Sequence, residues 1–409
     1  MPTGPITSEH ERKRLERYAR LIVGAGVNIQ EGQYLLVHGE LAHAPLIRAI
    51  TEDAYAHGAS YVDVLYSDPW VHRAFVAGAP DETIDSTPPW QLLRLNDAID
   101  AKGAVIRIAG AAHAEIFDGL DAKRLTDSRM PDLRQRWLGA VTDSELSWTI
   151  VAYPDEEWAT EALGEPDVER LWQALEVALR LDQDDPAAAW QARADELIVR
   201  SAIRNERAFD ALRYRGPGTE LEVGLIPGAK FLGGREHTKY GQQHLANIPT
   251  EEVFTSPDRN RAEGTVRSTK PLALSGGLVE GLEVTFSGGE ITEVKADRGA
   301  DLVRAEVASD ENAKYLGEVA LVDRSSRVEA SNLVFFNTLF DENAVSHIAY
   351  GGGFAWAIDH MDEDAPERKL LNDSRVHTDF MVGGTEVKID GVDADGTVVP
   401  LLHGGEWQI

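Results

Sequence analysis

Along the first half of the chain, short apolar runs alternate with stretches whose apolar positions recur at helical spacing. "YLLVH" (34–38), "YVDVLY" (61–66), "AVIRIAG" (104–110) and "SWTIVAY" (147–153) are each the length of a strand. Helical periodicity fills the intervals, with a helix predicted over about 8–25 and another over about 43–57 that stops at Gly58. Strands that are apolar on both faces, separated by helices, predict a mostly parallel sheet covered on both sides, an α/β domain. Residues 156–206 are rich in helix formers, and Pro186, just after two aspartates, is predicted to open a helix.

The pattern changes near 207–220. From "GPGTELEVGL" (216–225) onward, short alternating strands and glycine turns dominate, and "GLEVTFSGGEITEVKAD" (281–297) predicts a hairpin around Gly288-Gly289. A chain of 409 residues is too long for one ordinary core. The expected organisation is two domains, 1–210 and 211–409, with the boundary at 205–215.

Composition narrows the function. The formal charge is -29, from 40 basic and 69 acidic residues. Such a surface repels nucleic acid and anionic membranes and suits cationic ligands, metals included. Mean hydropathy is -0.28. No run approaches the roughly 18 apolar residues of a bilayer span, and the opening "MPTGPITSEHERKRLERYARL" turns charged at once without an apolar signal core. The expectation is a cytoplasmic protein that binds neither membrane nor nucleic acid. Cysteine is absent, so metal ligands must come from Asp, Glu, His or water.

Common catalytic fingerprints are missing: there is no HExxH, P-loop, strand-linked GxGxxG or GxSxG. "GGGFAW" (351–356) lacks a phosphate-binding lysine and reads as a turn or close-packing site. The histidines of "HAEIF" (113–117) and "REHTKYGQQH" (235–244) lack the i, i+4 spacing of a helical metal site.

Four segments of the second half set polar groups among apolar neighbours. They are "NIPTEEVFTSP" (247–257) with Glu251 and Glu252, "KYLGEVALVD" (314–323) with Glu318, "LFDENAVSHIAYGGG" (339–353) with Glu342 and His347, and "VHTDFMVGG" (376–384) with His377 and Asp379. If the last is a strand, His377 and Asp379 emerge on one face, their Cα atoms roughly 6.6 Å apart. The segment holding Glu342 and His347 is expected to open a short helix. Buried charge is unfavourable unless paired or metal-bound. The set Glu252, Glu318, His347, His377 and Asp379 suits divalent ions such as Zn²⁺, Co²⁺, Mn²⁺ or Mg²⁺, and three carboxylates suit two of them with a bridging group.

These segments, in this order and spacing, resemble the M29 metallopeptidases, the thermophilic aminopeptidase family. "LERYARLIVGAGVNIQEGQYLLVHGELAHAPLIRAITEDAYAHGASYVDVLYSD" is similar to the family's opening, so the resemblance covers nearly the whole chain. It implies an N-terminal α/β domain, a C-terminal α+β metal-binding domain and a homodimer whose active sites face an enclosed cavity suited to short peptides. It also implies metal ligands at Glu252, Glu318, His347, His377 and Asp379, with Glu318 bridging two ions. The reaction implied is metal-dependent removal of N-terminal residues from peptides. Glu342 is the carboxylate expected near the substrate's α-amine, and Glu318 has a second expected role in holding a proton.

One position departs from the family. Where the resemblance expects a tyrosine, seven residues after His347, the chain has Phe354. On a continuous helix Tyr350 would share a face with Phe354; Tyr350 or a second metal-bound group is the expected substitute hydrogen-bond donor to an oxyanion, and the alternative is that Tyr350 only packs. Two rival expectations stand beside this one: a metal-dependent hydrolase of another small amide, and a non-catalytic binding module.

Overall fold

The computed structural model of the protein describes residues 8–111, 113–274, 277–358 and 365–409. The chain forms two compact units. One comprises residues 1–120, 127–194 and 235–250; the other comprises 121–126, 195–234 and 251–409.

In the first unit, helix α1 (Glu9–Leu21) starts where the Ser8 hydroxyl accepts the Glu11 backbone N–H, and it buries Leu15, Tyr18, Ala19 and Leu21. Four parallel strands follow: β1 (Tyr34–Glu40), β2 (Tyr61–Ser67), β3 (Ala104–Ala109) and β4 (Ser147–Ala152), in the order β2-β1-β3-β4. Each coincides with one of the apolar runs. Helix α2 (Ala44–Ala56) connects β1 to β2 and ends at Gly58, whose φ of +90° suits the helix exit. The strand-rich connection 235–250 lies with this unit although it follows residue 234 of the other, and Ile150 and Ile248 exchange backbone hydrogen bonds with its neighbourhood: Ile150 donates to Ala246 and Ile248 donates to Ile150. Pro186 does open a helix, α3 (Pro186–Arg207).

The second unit contains two main antiparallel sheets, besides a two-stranded one that pairs Leu272–Leu274 with Gly277–Val279. The larger has eight strands: β5 (Ala211–Gly216), β6 (Thr219–Leu225), β8 (Pro257–Arg267), β9 (Glu283–Ser287), β10 (Glu290–Lys295), β14 (Lys388–Val392), β15 (Val398–His403) and β16 (Glu406–Trp407). Strands β9 and β10 form the expected hairpin, with Gly288 and Gly289 at φ +58° and +84°, the backbone a two-residue turn of this kind needs. The smaller sheet has four strands: β7 (Glu252–Thr255), β11 (Leu316–Val322), β12 (His347–Gly351) and β13 (His377–Met381), in the order β13-β12-β11-β7. Helix α4 (Ala300–Val307) precedes β11, and a four-residue helix α5 (Thr338–Asp341) precedes β12.

Every residue of β11 is buried, which explains its unbroken apolar character around Glu318. One face of the small sheet, carrying Val253, Val319, Leu321, Ile348, Tyr350 and Phe380, joins the main core of this unit. The other face is free to carry polar chemistry. Among the described residues no helix is long and apolar enough to cross a membrane.

Candidate metal centre

Strand alternation sorts the smaller sheet into an apolar face and a polar one. Glu252 on β7, Glu318 on β11, His347 on β12, and His377 and Asp379 on β13 all fall on the polar face. Register then brings them together. Ala349 is paired with Asp379 on one side and Glu318 on the other, so a small side chain separates the two carboxylates. His347 is flanked by Ala320 and Met381, one step along the same face.

The side-chain tips converge accordingly. His347 Nε2 lies 3.0 Å from Glu252 Oε2 and 3.8 Å from Asp379 Oδ1; His377 Nε2 lies 3.2 Å from Glu318 Oε2 and 3.5 Å from Asp379 Oδ1. Two groups of three have ligand atoms all within 4.8 Å of one another: Glu252, Glu318 and His347, and Glu318, His377 and Asp379. Glu318 is common to both.

The outer nitrogens define what the inner ones can do. His347 Nδ1 donates to the Glu342 carbonyl at 2.9 Å, and His377 Nδ1 donates to the Gly352 carbonyl at 2.8 Å. Because a carbonyl only accepts, each Nδ1 carries a hydrogen, and each neutral ring turns an Nε2 lone pair toward carboxylate oxygens. Buried oxygens Glu252 Oε2 and Asp379 Oδ1 have no hydrogen-bond partner among the described residues. Lone pairs facing lone pairs require a proton or a cation between them.

Electrostatics agree. Burial opposes charge on both imidazoles. It is outweighed by Glu252, Asp379 and Glu318 around His347, and by Asp379 and Glu318 around His377, so both are held well above the ordinary histidine range. Burial, aided by Asp379 and Glu252, pushes Glu318 up to about 7 despite its bond to His377. Asp379 resists its own burial because His377 and His347 hold it low. The cluster is therefore short of positive charge and retains protons where no cation is bound.

Glu342 is buried beside this cluster. Burial and the nearby charges of Asp379 and Glu252 raise it well above the usual carboxylate range, and it falls in neither group of three. Glu251 is also buried and outside both groups; its N–H donates to Asn343 Oδ1.

Two local expectations need correcting. His347 opens strand β12 rather than lying in a helix, because the helical stretch ends at α5 and residues 347–351 pair with β11 and β13. With a period of two instead of 3.6, Tyr350 points to the face opposite His347. It is fully buried there, and its hydroxyl donates to Glu306 Oε2 at 2.8 Å, away from the carboxylate cluster. The Thr378 hydroxyl, from the residue between His377 and Asp379, donates to the same oxygen at 2.9 Å. Glu306, on α4, thus ties two strands that carry the cluster, a role that nothing in the sequence pattern signalled.

The glycine run proved to be a close-packing site. A Cβ on Gly317 would lie 2.2 Å from the Gly352 carbonyl oxygen and 2.4 Å from that of Gly351, and Gly351 has φ +106°. The other histidines stay apart: His113 pairs with Glu40 and Glu157, and His244 lies 3.5 Å from Glu236.

Comparison with known proteins gives concordant results. A family model for thermophilic metalloproteases (M29) matches residues 11–407. Aminopeptidase T of Thermus aquaticus is 40% identical over 404 residues, which cover 97% of this chain and 99% of that protein. Aminopeptidase PepS of Streptococcus thermophilus is 35% identical over 408 residues, covering 97% and 98%. The solved structure of wild-type AmpT from Thermus thermophilus has a TM-score of 0.88 at 36% identity, covering 97% of this chain and 100% of that one.

Proposed function

The chain belongs to the M29 family of thermophilic metalloproteases, and from that premise we propose that it is a metal-dependent aminopeptidase whose ions are held by Glu252, Glu318, His347, His377 and Asp379. The observation that carries the ligand assignment is the pair of imidazoles whose Nδ1 hydrogens are committed to backbone carbonyls while both Nε2 atoms face carboxylates. Two divalent ions, drawn from Zn²⁺, Co²⁺, Mn²⁺ or Mg²⁺, fit two overlapping ligand groups that share Glu318. Bound there, such ions supply Lewis acidity and lower the pKa of water toward about 7.

The remaining work falls to the chain. The carbonyls of Glu342 and Gly352 fix the two imidazoles in the ligating tautomer. Glu342, a buried carboxylate beside the ligands, takes the substrate's α-amine, which selects a free N-terminus. Glu318 spans the two groups as their shared carboxylate and is also the group proposed to hold a proton during the reaction. The reading extends to a cytoplasmic homodimer acting on short peptides.

The test is chelation. Hydrolysis of an aminoacyl-p-nitroanilide should vanish on exhaustive EDTA treatment and return with Co²⁺, Mn²⁺ or Zn²⁺. Full activity in the chelated protein would contradict the proposal, and sedimentation as a monomer would contradict its dimer.

A further inference from the structure

The polar face of the small sheet is bounded at one end by aromatic rings. Phe254 lies two residues after Glu252 on β7, so alternation puts its side chain on the ligand face. Phe354 follows the glycine run, its N–H donating to Ser256 Oγ at 2.7 Å. Its ring centroid lies 5.0 Å from that of the His377 imidazole, 5.5 Å from Phe254 and 4.6 Å from Trp356. The three rings therefore form one continuous group that touches a ligand imidazole.

Core packing does not account for them. All three rings are only partly buried, and none belongs to the buried cluster of this unit. Contiguous, partly exposed aromatic surface beside a charged site marks a place where apolar ligand surface is received.

Resting on the aminopeptidase reading, we propose that Phe254, Phe354 and Trp356 form the wall that receives the side chain of the substrate's N-terminal residue and selects large apolar or aromatic residues. The residue that is removed has its amine at the carboxylates and its carbonyl at the ions, so its side chain leaves from beside the ligands. Phe354 is the ring that packs against one of them, His377. Acidic side chains are disfavoured twice, by the rings and by the carboxylate cluster.

The experiment compares kcat/KM for Phe-, Leu-, Ala- and Asp-p-nitroanilide in the metal-loaded protein and in Phe354→Ala, Trp356→Ala and Trp356→Phe. The native protein should prefer Phe and Leu over Ala by about 10–100-fold, the range a hydrophobic pocket gives. Both alanine variants should bring the Phe/Ala ratio down by about 10-fold or more, and Trp356→Phe should keep most of it. A flat native ratio, a preference for Asp, or alanine variants that lower every substrate equally would overturn the wall while leaving metal-dependent hydrolysis intact. Loss of metal-dependent hydrolysis for all four substrates in the native protein would take down both readings. Circular dichroism of each variant separates a changed ratio from misfolding.

Discussion

Replacing Tyr350 by phenylalanine separates the two faces of the small sheet. The change removes one hydroxyl and leaves the ring in the core. What is lost is the 2.8 Å hydrogen bond to Glu306 Oε2. A hydrogen bond to a carboxylate contributes roughly 1.5–3 kcal/mol. Glu306 keeps the 2.9 Å bond from Thr378, so its oxygen is not left bare. The lower end applies, about 1.5 kcal/mol. For a unit of some two hundred residues this lowers the unfolding temperature by roughly 3–6 °C. Catalysis should be spared, because the hydroxyl points to the face opposite the carboxylate and histidine cluster. The expected kcat stays within about twofold, equivalent to roughly 0.4 kcal/mol. Were the phenol instead an oxyanion donor, its loss would raise the barrier by about 2.7–4 kcal/mol, a fall of 10²–10³ in kcat. Differential scanning calorimetry and steady-state kinetics on the same preparation decide. A hundredfold fall in kcat with an unshifted melting curve would refute the assignment of faces.

Three further outcomes are expected. Gly317→Ala forces a Cβ against the carbonyls of Gly351 and Gly352 immediately before Glu318; it should destabilise by about 1–3 kcal/mol and weaken metal binding, and a variant with native melting and native affinity would speak against that packing. Glu252→Gln removes a proposed direct ligand, and metal affinity, read by chelator competition, should fall by more than the roughly 10–100-fold typical of changes one shell further out; native affinity would exclude Glu252 as a ligand. In the first unit, burial opposes the charge on His113, but Glu40 and Glu157 raise it to about 9. A histidine raised in this way stabilises the fold fully below its unfolded value of about 6.5 and loses that contribution as pH rises through 9, at most about 3 kcal/mol. Denaturant midpoints between pH 6 and 10 should show this loss in the native protein and not in His113→Gln.

How much of this was legible in the sequence depended on whether the information was local. Strands β1–β4 are short apolar runs bounded by turn residues, and Gly288-Gly289 demands a turn, so these elements could be read directly. Glu318 stood out because charge inside an unbroken apolar strand is expensive unless it has a use. The alternation of His377 and Asp379 likewise fixed their common face. Residues 347–351 were harder. They follow a genuine helical turn, and only pairing with β11 and β13 makes them a strand, an effect of tertiary context on propensity. That error of period moved Tyr350 to the wrong face. The contact of Phe354 with His377 and the support that Glu306 gives to Tyr350 and Thr378 join distant segments through sheet register, which no single stretch encodes.

The central proposal is a pair of cations held by two overlapping residue groups that share Glu318. Anomalous diffraction from crystals soaked in Zn²⁺ or Co²⁺, recorded at the metal edge, examines this most directly. Two peaks per chain are predicted, one among Glu252, Glu318 and His347 and the other among Glu318, His377 and Asp379. Peaks located elsewhere, with these five side chains bound to no ion, would contradict it.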